Sequence, residues 1–226
     1  MRIPFYYVSY SINDLHMEEY ESTFPIAKLR QSTKILIIDD DDFPLFHPLQ
    51  SSGYNLSKRN GNDDIKSLDD VIVYDIILCD IRGVGKNFGG NFEGAHLAKE
   101  LKIKYPDKIV ISYTASTHEI QYQKLQTKLD GVYPKGIGVE DWTTILDEKI
   151  KEIYNPIACW EKTRTILFEH KISTIDVAKL EHYYVKSIKT KNSSIIEKQI
   201  TGNKVLYSIL SDILQSLILK AIKNLL

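Results

Sequence analysis

Five polar residues of this chain stand at the ends of apolar runs that have the character of buried strands. Asp39 and Asp40 follow the first such run, Asp80 and Thr114 end two later runs, and Lys135 comes just past a short fourth one. Because the carboxyl ends of parallel strands meet at the ligand-binding edge of an open α/β sheet, we expect these side chains to converge.

Three converging carboxylates need a compensating cation, and hard oxygen ligands suit Mg²⁺. A lysine and a hydroxyl beside them suit a phosphoryl group. The chemistry indicated is attack of a carboxylate on a phosphoryl donor, giving an acyl phosphate.

The runs that must position these residues are continuously apolar rather than alternating, which is typical of strands buried on both faces. They cover residues 34–38, 75–80 and 108–114. Segments with helical periodicity lie between and after them, at residues 95–105, 117–129 and 140–154. Such alternation predicts an α/β fold, a parallel sheet with helices on both faces.

The segment after the first strand is less regular. Pro44 and Pro48 lie where the first helix should run. Proline inside a helix removes a hydrogen bond and clashes with the preceding turn, so we expect this helix to be short, distorted or started late. The polar stretch 55–70 has no clear pattern of its own.

Beyond Pro156 the pattern is helical only, and we place a domain boundary there. One candidate helix covers residues 158–170, and a second begins after a cap at Ser173 or Thr174 and runs to about Lys189. A third covers residues 204–226. The last of these carries an apolar stripe that consists of Leu206, Leu210, Ile213, Leu217, Ala221 and Leu225. A stripe this wide, with its flanking isoleucines, needs a partner surface, either within this chain or in another. We therefore expect a homodimer formed through residues 157–226.

Length and charge limit the remaining possibilities. The chain of 226 residues suggests one domain with a smaller appendage. Its net charge of −1 excludes a globally basic nucleic-acid binder, although residues 157–226 carry +5 and residues 1–156 carry −6. The 2 cysteines make no disulfide framework. We see no secretory signal and no membrane-spanning run, and expect a cytoplasmic protein.

Four segments together resemble the receiver domain of two-component response regulators. They read KILIIDDD at residues 34–41, YDIILCDI at 74–81, IVISYTA at 109–115 and DGVYPK at 130–135. The resemblance covers about residues 34–154, and its force comes from four motifs in order, each at a strand end. It implies a flavodoxin-like, doubly wound, five-stranded parallel sheet, with a smaller all-α region after it. The chain then divides into an N-terminal extension (1–33), a receiver domain (34–156) and a helical C-terminal region (157–226).

The resemblance also implies a role for each site residue. Asp80 would accept the phosphoryl group. Asp39, Asp40 and Asp80 would hold Mg²⁺ together with the backbone carbonyl of Arg82. Thr114 would hydrogen-bond the phosphoryl oxygen and move with it, and Lys135 would pair with the phosphoryl group or with Asp80.

Three departures from the family pattern bear on how such a switch would work. Val132 occupies the position of the usual aromatic switch residue, and we expect the neighbouring Tyr133 to point the other way. Gly136 follows Lys135 where proline is usual. The Gly-rich loop 83–94 is longer than usual and is expected to be a lid or docking surface. It does not match a nucleotide-binding P-loop, because Asp80 and Asn87 replace the required glycine and Ser/Thr.

The resulting prediction is a response regulator that takes a phosphoryl group from a histidine kinase or a phosphotransfer protein and alters protein–protein interactions of its helical tail. We do not expect it to be an enzyme. One alternative is a receiver-like scaffold that works without phosphorylation. Another is a transcription factor with a DNA-binding tail, which the absence of clear helix-turn-helix spacing makes less favoured.

Overall fold

The computed structural model describes residues 10–16, 25–60, 65–88, 93–115, 128–213 and 218–223. The chain divides into two compact units. Ile26–Ile150 forms one, called the sheet unit below, and Met1–Pro25 with Lys151–Leu226 forms the other, called the helical unit. The sequence predicts segments that differ in function, with boundaries at 33/34 and 156/157, whereas these units are defined by compactness. The predicted segments stay a prediction.

The sheet unit is built on five strands in the order β2-β1-β3-β4-β5, all paired in parallel. The strands are β1 (Lys34–Ile38), β2 (Asn55–Arg59), β3 (Ile76–Asp80), β4 (Ile109–Thr114) and β5 (Gly131–Pro134). All residues of β3 and β4 are buried, as their continuous apolar sequences predict. This strand order is the doubly wound, flavodoxin-like arrangement, so the predicted fold class is confirmed.

β2 lies in the stretch whose sequence has no clear strand pattern. It is an edge strand that pairs only with β1 among the described strands, with Asn55 opposite Lys34. Leu56 is its only buried residue. An edge strand with one apolar contact lacks the signal that marks β1 and β3, which explains why the sequence did not indicate it.

The helices of the sheet unit are numbered over the part of the chain that the structure describes. They are α1 (Ile26–Ser32), α2 (Phe46–Ser51), α3 (Glu93–Lys104) and α4 (Val139–Tyr154), the last of which runs past the boundary of the unit. α2 has only 6 residues, in agreement with the expected effect of the two prolines. The predicted helix at 117–129 lies almost wholly outside the described residues.

The helical unit contains α5 (Pro156–Glu169), α6 (Thr174–Lys189), α7 (Ser194–Thr201), α8 (Lys204–Ile213) and α9 (Leu219–Lys223). The Asn155 side chain accepts from the first backbone N–H groups of α5, and α6 is capped by Ser173, one of the two predicted caps. α7 was not predicted. Where one helix was expected from 204 to 226, the structure describes α8 and α9. No helix among the described residues is both long and apolar enough to cross a bilayer.

The apolar stripe of α8 lies inside the helical unit. Leu206, Leu210 and Ile213 are buried in one core with residues of α5, α6, α7 and α9, including the stacked rings of Trp160 and Tyr184. Leu217, Leu225 and the side chain of Ala221 lie outside what the structure describes. Since the described members of the stripe are covered by their own chain, bare apolar surface no longer argues for a homodimer, which stays a prediction.

A short N-terminal segment also belongs to this core. The backbone N–H of Tyr10 donates to Nδ1 of His182 (3.2 Å), and that of Ile12 donates to the Glu181 carboxylate (2.9 Å). Leu15 is buried among the helices. The aromatic residues Phe5, Tyr6 and Tyr7, which precede this segment, lie outside the described residues.

Candidate functional site

Three carboxylates converge at the carboxyl edge of the sheet. Asp39 follows β1, Asp80 ends β3, and both are buried, whereas Asp40 is exposed. One oxygen from each carboxylate lies within 4.8 Å of the others. Parallel register brings β1 and β3 to the same edge, since Ile38 pairs with Cys79. The three residues predicted as a metal site are thus placed together.

Lys135 completes the charge pattern. Its Nζ lies 2.5 Å from Oδ2 of Asp80 and 3.6 Å from Oδ2 of Asp39. The position of this lysine is fixed at the backbone, because its N–H donates to the Thr114 carbonyl at 2.8 Å. Burial alone would lower the pKa of Lys135, but its bond to Asp80 and the two carboxylate charges raise it. The lysine is therefore a cation held against the acidic pair.

The surroundings of Asp80 disfavour its ionised form even though Lys135 contacts it. Burial raises the pKa of Asp80, the contact with Lys135 lowers it only in part, and the charge of Asp39 raises it further. Holding Asp80 ionised therefore costs free energy in the folded chain. A further positive charge beside the carboxylates would relieve that cost, which suits a hard divalent cation.

Thr114 and Arg82 lie at the same edge. Thr114 is the last residue of β4 and is buried. The backbone N–H of Arg82 approaches Oδ1 of Asp80 at 3.4 Å, and its side chain is exposed. The carbonyl of Arg82 as a metal ligand and the switching motion of Thr114 stay predictions.

Two glycines hold the ends of the Gly-rich loop against the site. A Cβ on Gly83 would overlap the Asp40 carboxylate, and one on Gly94 would overlap the backbone oxygen of Asp80. Gly83 also has a φ of +77°, and its N–H donates to the Glu93 carboxylate at 2.6 Å. Residues 89–92 of this loop lie outside the described residues. These packing roles of Gly83 and Gly94 were not evident from the sequence.

Tyr113 is a further residue at the site that sequence reasoning missed. Its hydroxyl donates to Oδ2 of Asp39 at 2.7 Å, and the side chain is fully buried. Burial, followed by the charge of Asp39, raises the pKa of this tyrosine, so the phenol keeps its proton. The sequence did contain one clue to this role. Tyr113 directly precedes Thr114 in a buried strand, where a polar hydroxyl needs a hydrogen-bond partner.

The side chains of β5 point as expected from strand alternation. Val132 packs against Ile81 and Ala95, whereas the Tyr133 ring contacts Trp142 with centroids 5.9 Å apart. Tyr133 thus lies away from the position that Val132 occupies. An aromatic switch at that position is absent here, as the sequence indicates.

The raised pKa of Asp80 predicts a pH dependence of stability. Since the folded chain binds this proton more tightly than the unfolded chain, the contribution of Asp80 favours folding below the ordinary pKa of 3.8 and is lost as pH rises through the higher folded value. Asparagine has no such proton. Without Mg²⁺, we expect the free energy of unfolding of Asp80→Asn, relative to the natural chain, to rise with pH over this range. Urea unfolding at a series of acidic pH values measures it, and a constant difference would contradict the prediction.

Solved receiver domains resemble about half of this chain. A response regulator receiver domain protein from Methanospirillum hungatei JF-1 is 19% identical, with 53% of this chain and 94% of that chain covered and a TM-score of 0.41. The response regulator TrrA from Thermotoga maritima, in complex with Mg²⁺-BeF, is 23% identical over 52% and 98% of the two chains, with a TM-score of 0.42. The BeF3-activated receiver domain of Klebsiella pneumoniae RstA is 15% identical over 52% and 98%, with a TM-score of 0.45.

No protein-family model and no curated protein matches the chain. The fold assignment accordingly rests on the strand order and register described above, and the chemistry of the site rests on its own side chains.

Proposed function

We propose that this chain is a response regulator that accepts a phosphoryl group on Asp80 from a histidine kinase or a phosphotransfer protein. The observation that carries the proposal is the group formed by Asp39, Asp40 and Asp80 within 4.8 Å of one another, with Lys135 on Asp80 at 2.5 Å. Receipt of a phosphoryl group by an acidic side chain needs this combination of anionic nucleophile and positive charge.

In the transfer step, a carboxylate oxygen of Asp80 attacks the phosphorus of a phosphohistidine. A new O–P bond forms as the donor N–P bond breaks, and the electron pair of the broken bond stays on the imidazole nitrogen. Lys135 supplies the counter-charge for the phosphoryl oxygens. The Thr114 hydroxyl would donate to one of these oxygens after transfer. The chain acts in this step as an acceptor rather than as an enzyme with an external substrate.

The donor set fits Mg²⁺, since three carboxylates provide hard oxygen ligands and Asp80 is strained by burial and by Asp39. Asp39, Asp40 and Asp80, together with the Arg82 carbonyl, would hold the ion. When bound, it supplies positive charge that offsets the carboxylates and the phosphoryl oxygens.

The output of the switch is proposed to be a change in protein–protein interactions of the helical region 157–226. A homodimer through this region remains one form that this output could take, and DNA binding is a less favoured one. The modest charge of that region, +5 over its length, supports the choice of protein partners. Binding to random duplex DNA that weakens steeply with salt would instead favour the transcription-factor alternative.

The metal ligands can be tested with a matched pair of variants. Asp39→Asn with Asp40→Asn neutralises two of the proposed ligands, whereas Asp41→Asn with Asp42→Asn makes the same change of charge at two exposed neighbours. Loss of a residue that only hydrogen-bonds a metal ligand already lowers metal affinity about 10–100-fold. We therefore expect the first variant to bind Mg²⁺ at least about 100-fold more weakly. The second should bind nearly as the natural chain does. Mg²⁺ titration by NMR measures both affinities.

Phosphoryl uptake should follow the same order, with no adduct on the first variant and a normal adduct on the second. Normal uptake by the Asp39→Asn, Asp40→Asn variant would mean that the metal site is misplaced. If the natural chain takes no phosphoryl group from any donor, the scaffold alternative is favoured.

A further inference from the structure

The buried hydroxyl of Tyr113 is the starting point of the inference. It donates to Oδ2 of Asp39 at 2.7 Å, while the backbone N–H of Asp41 donates to Oδ1 of the same carboxylate at 3.0 Å. Asp39 is thereby held from two sides, one oxygen by each donor. Because a carboxylate oxygen has two acceptor sites, each oxygen keeps one for a cation or for Lys135.

The ring of Tyr113 is held as firmly as its hydroxyl. Phe43 and Trp142 pack edge to face against it, with centroids 5.6 and 6.1 Å away. The Nζ of Lys135 lies 5.6 Å from the centroid of the same ring. Aromatic packing of this kind fixes the ring orientation, and a cation near a ring face is attracted to it. Tyr113 therefore contacts both a carboxylate and the ammonium group of the proposed site.

We propose that Tyr113 is a positioning residue of the phosphoacceptor site, which holds the Asp39 carboxylate in the orientation that binds Mg²⁺ and supports Lys135 through its ring. The inference rests on the proposed function. Its physical basis is that a ligand whose orientation is already fixed loses less freedom on binding, which is why hydrogen-bond partners of metal ligands affect affinity strongly.

Tyr113→Phe removes the hydroxyl and leaves the ring. We expect Mg²⁺ to bind this variant about tenfold or more weakly than the natural chain, within the range for such partners. The matched control is Tyr54→Phe, because Tyr54 is also buried, lies in the sheet unit and donates its hydroxyl to a carboxylate, that of Asp147, at 2.7 Å. The control should lose stability without a change in Mg²⁺ affinity.

The titration uses the full-length chain labelled with 5-fluorotryptophan and followed by ¹⁹F NMR with Mg²⁺ alone. The sequence has 2 tryptophans, Trp142 and Trp160, so the spectrum has two resonances that a Trp160→Phe variant assigns. Trp142 packs on Tyr113 and should report binding. Equal Mg²⁺ affinity of the natural chain and Tyr113→Phe would overturn the inference and leave the proposed function intact. Absence of Mg²⁺ binding by the natural chain would overturn both.

A measurement on the natural chain decides the case in which Tyr113→Phe does not fold. The hydroxyl proton of Tyr113 is buried and hydrogen-bonded, so it should exchange slowly enough to be seen by ¹H NMR with selectively labelled tyrosine. We expect its resonance to shift during the Mg²⁺ titration with the same midpoint as the Trp142 signal. A resonance that stays unchanged at saturating Mg²⁺ would overturn the inference.

Discussion

Asp80→Asn is expected to abolish formation of a hydroxylamine-labile phosphoryl adduct completely. The natural chain, treated with Mg²⁺ and a small phosphodonor such as acetyl phosphate, should gain the mass of one phosphoryl group. The amide of asparagine has no anionic oxygen to attack phosphorus, so no acyl phosphate can form. Intact-mass spectrometry before and after hydroxylamine treatment measures the adduct.

The control for this variant makes the same change at the other end of the same strand. Asp75 directly precedes β3, and its carboxylate accepts the backbone N–H of Lys34 at 2.9 Å. Asp75→Asn should keep the adduct. Persistence of a labile adduct on Asp80→Asn would show that the acceptor is another residue. Asp80→Asn should also fold, since it removes a buried charge whose ionisation opposes folding.

Leu210→Glu is expected to unfold the helical unit. Leu210 is fully buried on α8, in the core that contains Trp160, Tyr184 and Ile200. Removal of a buried leucine side chain costs about 2–5 kcal/mol from lost packing. An unpaired carboxylate placed there adds a desolvation penalty. The sum is comparable with the whole free energy of unfolding of an ordinary domain.

A variant on the same helix provides the control. Val205 is 57% exposed, so Val205→Glu introduces the same charge in α8 with little change in buried surface. It should leave the helical unit folded. The two fluorotryptophan resonances separate the units, because Trp160 lies in the helical unit and Trp142 in the sheet unit. Leu210→Glu should shift the Trp160 resonance to the chemical shift of the unfolded chain.

Light scattering on the same samples tests the predicted homodimer. If Leu210→Glu remains folded and converts a dimer to a monomer, then Leu210 faces a second copy of the chain rather than the core of its own helical unit. A natural chain that is monomeric at high micromolar concentration would remove the homodimer prediction.

The sequence predicts the fold and the candidate site best where burial restricts which residue types can occur. β1, β3 and β4 are buried on both faces, and their apolar sequences allowed both the strands and the residues at their ends to be identified. Asp39, Asp80 and Thr114 stand at the ends of these strands and could therefore be assigned to one site from the sequence. Lys135 follows the less buried β5 and was assigned to the same site through the resemblance of segment 130–135 to receiver domains. Parallel pairing brought them together without further information.

The features that were missed depend on contacts between distant parts of the chain. β2 is recognisable only by its pairing with β1, because Leu56 is its single buried residue. The hydroxyl of Tyr113 finds its partner 74 positions away. The stripe of α8 indicates correctly that a partner surface exists. Its periodicity does not distinguish helices of the same chain from those of a second copy, and hence the dimer was favoured over the core that the structure describes.

The close approach of Gly83 and Gly94 to the acidic residues has a consequence for how this sequence can change over evolution. The backbone at these two positions leaves no room for a side chain beside Asp40 and beside the carbonyl of Asp80. In the natural relatives of this chain, we expect both positions to remain glycine. The neighbouring Val84 and Gly85 are restricted as well, because Val84 is fully buried and Gly85 has a φ of +76°. The two ends of the loop would then be the positions at which it changes least between lineages.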